Sequence, residues 1–227
     1  MTTRRTMLGW TLAALTVAAA RSSFAGVPKA RRRLDLLFLG GTGFLGPHQV
    51  EYALARGHRV TLFNRGRSAA NLYGDRAELL VGDRDARVGD GLRALQGTRR
   101  WDAVIDNSGY LPRHVRDSVE LLKDRVRRYA FVSTMSVYDR ARAGAVDEAW
   151  PLLPLANPED ESQEGRYGPL KAECDRIVRA ALGRRATVVR PPFVLGPGDD
   201  PYRFAYWLAR VGAGGTVLGP RADAAPL

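Results

Sequence analysis

The sequence predicts an α/β protein built on a doubly wound parallel sheet with helices on both faces. Three observations lead there. Short apolar runs alternate with segments whose apolar residues recur at helical spacing. Several of those runs are apolar throughout, the pattern of parallel strands covered on both sides. The first run also leads straight into a glycine-rich turn followed by a helical segment.

Strands are predicted over residues 34–39, 59–63, 78–81, 102–106, 129–133 and 186–190, each too short for a helix. Helices are predicted over 45–56, 89–95, 112–123 and 167–182, and Gly57 sits where a C-cap glycine belongs. No internal repeat or low-complexity tract interrupts the alternation. With 227 residues, 45% hydrophobic and 26% charged, the chain has the balance of a folded protein.

The turn reads Gly40-Gly41-Thr42-Gly43-Phe44-Leu45-Gly46. Glycines at 40, 43 and 46 permit a tight turn, close approach of the backbone to a pyrophosphate, and close packing of the next helix on the sheet. The phosphates would meet the N–H groups and positive end of that helix. Gly40, Gly43, Phe44, Leu45 and Gly46 are therefore the expected cofactor contacts of a Rossmann-type domain.

The second strand ends at Phe63-Asn64-Arg65-Gly66-Arg67. An acid here would accept from a ribose 2′-hydroxyl, whereas arginine stabilises a 2′-phosphate. Asn64 and Arg65 thus favour NADP over NAD. The third strand ends at Gly82-Asp83-Arg84, where Asp83 is placed to accept from an adenine amino group and Arg84 is counted with it as a cofactor contact.

Tyr167 and Lys171 open the long helix at i and i+4, so phenol and ammonium share a face. A cation there is expected to lower the tyrosine pKa, as proton transfer near neutrality requires. Ser133, Thr134 and Ser136 follow the fifth strand at the sheet edge where such folds bind ligands, and any of them is placed to donate to a substrate oxygen.

These motifs together, GGTGFLG, VSTMSVY, YGPLK and Arg190-Pro191-Pro192 onward, resemble the extended or atypical short-chain dehydrogenase/reductases, and within them the NAD(P)-dependent epimerase/dehydratase group. The resemblance runs from Leu34 to the C-terminus. It implies Tyr167 as acid/base, Lys171 as its tuner and nicotinamide-ribose ligand, and Thr134 as the hydroxyl partner. It also implies cofactor contacts at Ser108 and Gly109. Two departures bear on substrate. Met135 and Ser136 stand where dehydratases carry an Asp-Glu pair, and Phe193 stands where sugar-nucleotide enzymes often carry asparagine. A less polar carbonyl or alcohol is expected, and dehydration is not. A third departure is length: the C-terminal substrate region, 191–227, reads as truncated relative to the family, with dimerisation over the exposed sheet edge as one expected consequence.

Residues 1–25 read as a twin-arginine-type signal peptide: Arg4-Arg5, an apolar stretch over 7–20, and Ser23-Phe24-Ala25 as a cleavage site. The stretch is shorter than the roughly 20 residues a bilayer span needs. The export machinery is then a partner and the location periplasmic or extracytoplasmic; without a functional signal it is cytoplasmic. A basic linker, 26–33, leads to the NAD(P)-binding domain at 34–190.

The net charge of +11 invites a nucleic-acid reading. Of 35 basic residues, however, only Lys29, Lys123 and Lys171 are lysine, and the arginines are scattered. The one dense run, 29–33, has no aromatic residues interleaved, so no nucleic-acid partner is expected. A single cysteine, Cys174, excludes an intrachain disulfide, and scattered histidines offer no metal site. The expected activity is NADP-dependent hydride transfer to or from a small carbonyl or alcohol substrate. The rivals are a non-catalytic NADP-binding module and, through a related branch of the superfamily, an RNA-binding protein.

Overall fold

The structure, a computed structural model, describes residues 23–24, 26–67, 72–139, 146–157, 166–199 and 203–216. Six strands form one parallel sheet: β1 (Asp35–Leu39), β2 (Arg59–Asn64), β3 (Ala77–Val81), β4 (Trp101–Asp106), β5 (Val126–Val132) and β6 (Ala186–Val189). Their order is β3-β2-β1-β4-β5-β6. The chain winds outward from β1 to β3, then returns to β4 and winds the other way. The reversal opens a crevice at the carboxyl ends of β1 and β4, where ligands of doubly wound sheets bind.

Alternation along β1 divides the core. Leu36 and Phe38 face one side, where they pack with Val50 and Ala53 of α1 (Gly46–Ala55). Leu37 and Leu39 face the other, against Val115 and Val119 of α2 (Pro112–Leu122) and Cys174 and Val178 of α3 (Tyr167–Leu182). A strand with both faces covered has no polar side to show, which is why β1 is apolar from Leu36 to Leu39. Burial pushes the Cys174 thiol up to about 12.

α1 ends as the sequence anticipates. The N–H of Gly57 donates to Leu54 O and that of His58 to Ala53 O, the paired bonds of a Schellman cap. Residues 26–33 lie along this corner: Ala30 N–H donates to Arg56 O, and Arg32 pairs with Asp102. The expected signal peptide, 1–25, falls almost wholly outside the described residues.

Two elements differ from expectation. The helix predicted over 89–95 is a loop closed by one 3-10 turn, Arg93–Leu95. Gly91 takes φ +48 and its carbonyl accepts from Asp83 N–H, so the backbone turns back towards the end of β3 instead of coiling forward. A further helix, α4 (Arg203–Gly212), was not anticipated; Phe204, Trp207, Leu208 and Val211 recur along it and all are exposed. Among the described residues, no helix is long and apolar enough to cross a membrane, and no His/Cys/Asp/Glu group is disposed to hold a metal.

Candidate functional site

The glycine turn lies at the head of the crevice. Gly40 takes φ +105, open to glycine and strained for other residues, and its N–H donates to Phe63 O. Gly46 opens α1 against the backbone of Gly41; a β-carbon there would lie 2.3 Å from the Gly41 carbonyl carbon. At Gly43 an added carbon would meet nothing within 4 Å, so this side of the turn faces open space. Leu45, the N-cap of α1, supplies no side-chain cap, and the first turn carries no acid. The positive helix end is therefore unopposed, a cradle that fits a pyrophosphate.

Two cavities flank the turn. One, about 300 Å³, is lined by Gly40, Asn64, Arg65, Arg67, Asp83 and Ser108 among others. Asn64 Oδ1 accepts from Gly66 N–H at 2.8 Å, which fixes the loop carrying Arg65. Arg65 and Arg67 are exposed and make no ion pair with any described residue. Asp83 Oδ1 accepts from Asp85 N–H, so one of its oxygens serves the turn.

Arg84 reaches this cavity but spends its guanidinium inside the protein. It donates to both oxygens of Asp106, at 2.6 and 3.1 Å, and to the hydroxyls of Ser108 and Ser118. Tyr129 donates to the same carboxylate at 2.7 Å. Burial works against the Asp106 charge, yet Arg84 and these hydrogen bonds hold its pKa below the ordinary range. Arg84, expected as a cofactor contact, lines the cavity as a buried strut whose guanidinium is committed to Asp106, Ser108 and Ser118. The reason is tertiary, because Asp106 is 22 residues away in sequence.

The second cavity, about 530 Å³, collects Phe44, Leu45, Thr134, Tyr167 and Lys171. α3 comes close enough because its second residue is glycine: a β-carbon on Gly168 would lie 2.4 Å from Ser136 O. Thr134 caps the 3-10 turn Met135–Val137 through Ser136 N–H, and its hydroxyl lies close enough to the Tyr167 phenol to influence its ionisation. Lys171 is buried and donates to Gly109 O at 2.7 Å and Val132 O at 2.8 Å, with its ammonium 4.2 Å from the Phe131 ring centre. Gly109 thus meets Lys171 through its carbonyl.

The expected lowering of the Tyr167 pKa by Lys171 is not what this arrangement gives. Partial burial and neighbouring Tyr110 raise it, with the Thr134 hydroxyl opposing. Burial in turn lowers the Lys171 pKa. Both face one cavity, but Lys171 lies one turn deeper, under two backbone carbonyls.

Several lining residues carried no readable signal in the sequence. Tyr110 borders both cavities, and His114 borders the first. Asn107 donates to Gln49, while its carbonyl oxygen is buried with no partner among the described residues; the hydroxyl of Ser133, which the sequence did single out, is likewise buried without one. Only their places after β4 and β5 could have suggested a role. A further hollow, about 930 Å³, lies beside edge strand β6, around Tyr138, Arg184 and Val188, and none of the expected site residues lines it. It is the open flank of the sheet.

A family model described as NAD(P)H-binding matches residues 40–225. The chain belongs to this family. It is 30% identical over 180 residues to sterol demethylase protein B of Methylococcus capsulatus, covering 73% of this chain and 53% of that protein. It is 25% identical over 172 residues to chloroplast stem-loop binding protein of 41 kDa b of Arabidopsis thaliana, with coverages of 71% and 42%. It is 26% identical over 170 residues to UDP-glucose 4-epimerase 4 of Oryza sativa, with coverages of 63% and 44%. The chain therefore spans about half the length of these relatives. Among solved structures, WbmG of Bordetella bronchiseptica in complex with NAD aligns with a TM-score of 0.57 at 15% identity, over 80% of this chain and 61% of that one. At that identity the likeness is one of fold.

Proposed function

We propose that the chain is an NADP-dependent oxidoreductase or epimerase-like enzyme acting on a carbonyl or alcohol carbon. The observation that carries this reading is the meeting of two cavities at the glycine turn. One bears the exposed Arg65 and Arg67, and the other bears Thr134, Tyr167 and Lys171. The turn from Gly40 to Gly46, with Phe44 and Leu45, would hold the pyrophosphate. Arg65, beside Asn64, would hold the 2′-phosphate, and Asp83 the adenine. Ser108 and Gly109 would line the path between, and Lys171 would meet the nicotinamide ribose. When bound, the nicotinamide supplies a hydride donor or acceptor.

The chain's own residues manage the oxygen and the proton. Thr134 and Tyr167 share the wall of one cavity, so both would grip one substrate oxygen. Burial and neighbouring Tyr110 push the Tyr167 phenol up from its ordinary value, which favours the protonated form that would donate as a carbonyl is reduced. The Thr134 hydroxyl donates to the same oxygen as negative charge develops there. The relatives' names span a sterol enzyme and a sugar-nucleotide epimerase, so they leave the substrate class divided.

Thermal unfolding with each nucleotide tests the reading. NADPH at about a hundred times its Kd is expected to stabilise the chain by about 2.7 kcal/mol, and NADH by less. A larger effect of NADH would remove the role given to Arg65. No response to either would remove the enzyme.

We further propose that residues 1–25 direct export by the twin-arginine route, supported by their three-part order. Because that route carries folded proteins, cofactor would be bound before export. Replacing Arg4 and Arg5 together by lysine is expected to leave the protein in the cytoplasmic fraction; unchanged export would remove this assignment.

A further inference from the structure

We infer that the cavity at Tyr167 takes an uncharged, largely apolar ketone or alcohol with one oxygenated end, and not a nucleoside diphosphate sugar. This rests on the enzyme reading above and adds the substrate class.

The walls divide by chemistry. Phe44 comes from the turn after β1 and Met135 from the turn after β5. Pro191, Pro192, Phe193 and Val194 come from the segment after β6. That segment is tied down by Met135 N–H donating to Pro191 O and, at its start, by Arg190 paired with buried Asp175 at 2.8 Å. The same lining carries the hydroxyls of Thr134, Ser136 and Tyr167, with Ser133, Asn107 and Tyr110, and Thr134 donates to Ser136 Oγ. A ligand filling the space meets hydroxyls at Thr134 and Tyr167 and hydrocarbon at Phe44, Met135 and the 191–194 segment. The volume of about 530 Å³ suits a small organic molecule.

Charge points the same way. Among the described residues lining this cavity, Lys171 alone is charged. It is 2% exposed and its ammonium is committed to the Gly109 and Val132 carbonyls. A diphosphate drawn against these walls would lose water without gaining a cation, and such desolvation is costly. The exposed arginines, Arg65 and Arg67, border the other cavity. Phe193 is 71% exposed at the mouth. An apolar body laid against its ring removes hydrocarbon from water, a gain that a sugar hydroxyl face does not offer.

The test separates cofactor from substrate. NADPH binding to the chain is first titrated by its fluorescence. The NADPH-saturated chain is then titrated calorimetrically with 2-octanone, with acetophenone and with UDP-glucose. At least one ketone is expected to bind, and more tightly than UDP-glucose. Phe193→Asn is expected to weaken that ketone about tenfold or more, the scale of a lost apolar pocket contact, while NADPH affinity and melting temperature stay unchanged. Tighter binding of UDP-glucose, or binding of neither ketone, overturns the inference, as does a Phe193→Asn variant that binds the ketone unchanged. Any of these results alongside normal NADPH binding leaves the enzyme reading standing. Failure of NADPH itself to bind removes both.

Discussion

Tyr167 and Arg84 show how far a side chain's type determines its work. Both were singled out by position in sequence, and both lie at the expected crevice. Arg84 is engaged inward by Asp106, Ser108 and Ser118, whereas Tyr167 stays 44% exposed within a cavity that Thr134 also lines. What separates them is the partner each side chain finds. If Tyr167 moves the proton, Tyr167→Phe is expected to slow hydride transfer by about a hundredfold or more and leave NADPH binding intact. Single-turnover rates and a fluorescence titration on the same variant check both halves, and an unimpaired rate would return the role to a hydroxyl or a water. Lys171, held by two carbonyls, is better placed to fix the floor of the site than to lower the phenol's pKa directly.

At the scale of elements, the glycine turn and α1 act as one unit. Gly46 and Gly43 are three residues apart and meet opposite surroundings: the first abuts backbone at 2.3 Å, and the second faces space. Alanine at each position should therefore fail differently. Gly46→Ala forces α1 off the turn and is expected to destabilise the fold by about 1–3 kcal/mol, as overpacking does, and to weaken NADPH as well. Gly43→Ala is expected to leave denaturant stability unchanged while weakening NADPH, because its new methyl group intrudes only on ligand. Equal NADPH affinity in wild type and Gly43→Ala would show that the phosphates do not pass there. α3 obeys the same logic at its own N-terminus, where Gly168 lets the helix rest against Ser136.

Across the whole molecule, carboxylates and imidazoles act in concert as the medium is acidified. Hydrogen bonding by Arg113 and the Arg87 N–H holds Asp85 well below the carboxylate range, and Asp106 is also lowered, against its own burial, by Arg84. For an acid whose folded pKa is depressed, the stabilisation is present above the ordinary value of 3.8 and is lost as pH falls below it. His58 and His114 are lowered too, chiefly by burial, from 6.5. A base whose folded pKa is depressed resists protonation, so stability falls as pH drops below 6.5. The melting temperature is expected to decline mildly below about pH 6.5 and steeply below about pH 4. A flat profile from pH 7 to 3 would contradict the assigned ion pairs.

The elements and the site were legible in the sequence to different depths. β1, the glycine turn and α1 could be read because strand, turn and helix are contiguous, and each has a local cause: an apolar run, glycine geometry, and a Schellman cap at Gly57. Tyr167 and Lys171 were legible because a helix puts i and i+4 on one face. The region 89–95 misled because its apolar spacing is helical, whereas its fate depended on Gly91 closing against Asp83 from β3. α4 escaped notice although its apolar face is regular. By itself the sequence determined the doubly wound sheet, the place of the glycine turn and the pairing of Tyr167 with Lys171 on one helix face, since these follow from local periodicity and residue chemistry. Only the tertiary structure decided that Arg84 is a strut, that Lys171 is held by backbone carbonyls, and that Tyr110 and Asn107 line the cavities. Each of those depends on groups many residues apart, and a hydrogen bond or buried charge is fixed by what the fold brings within reach.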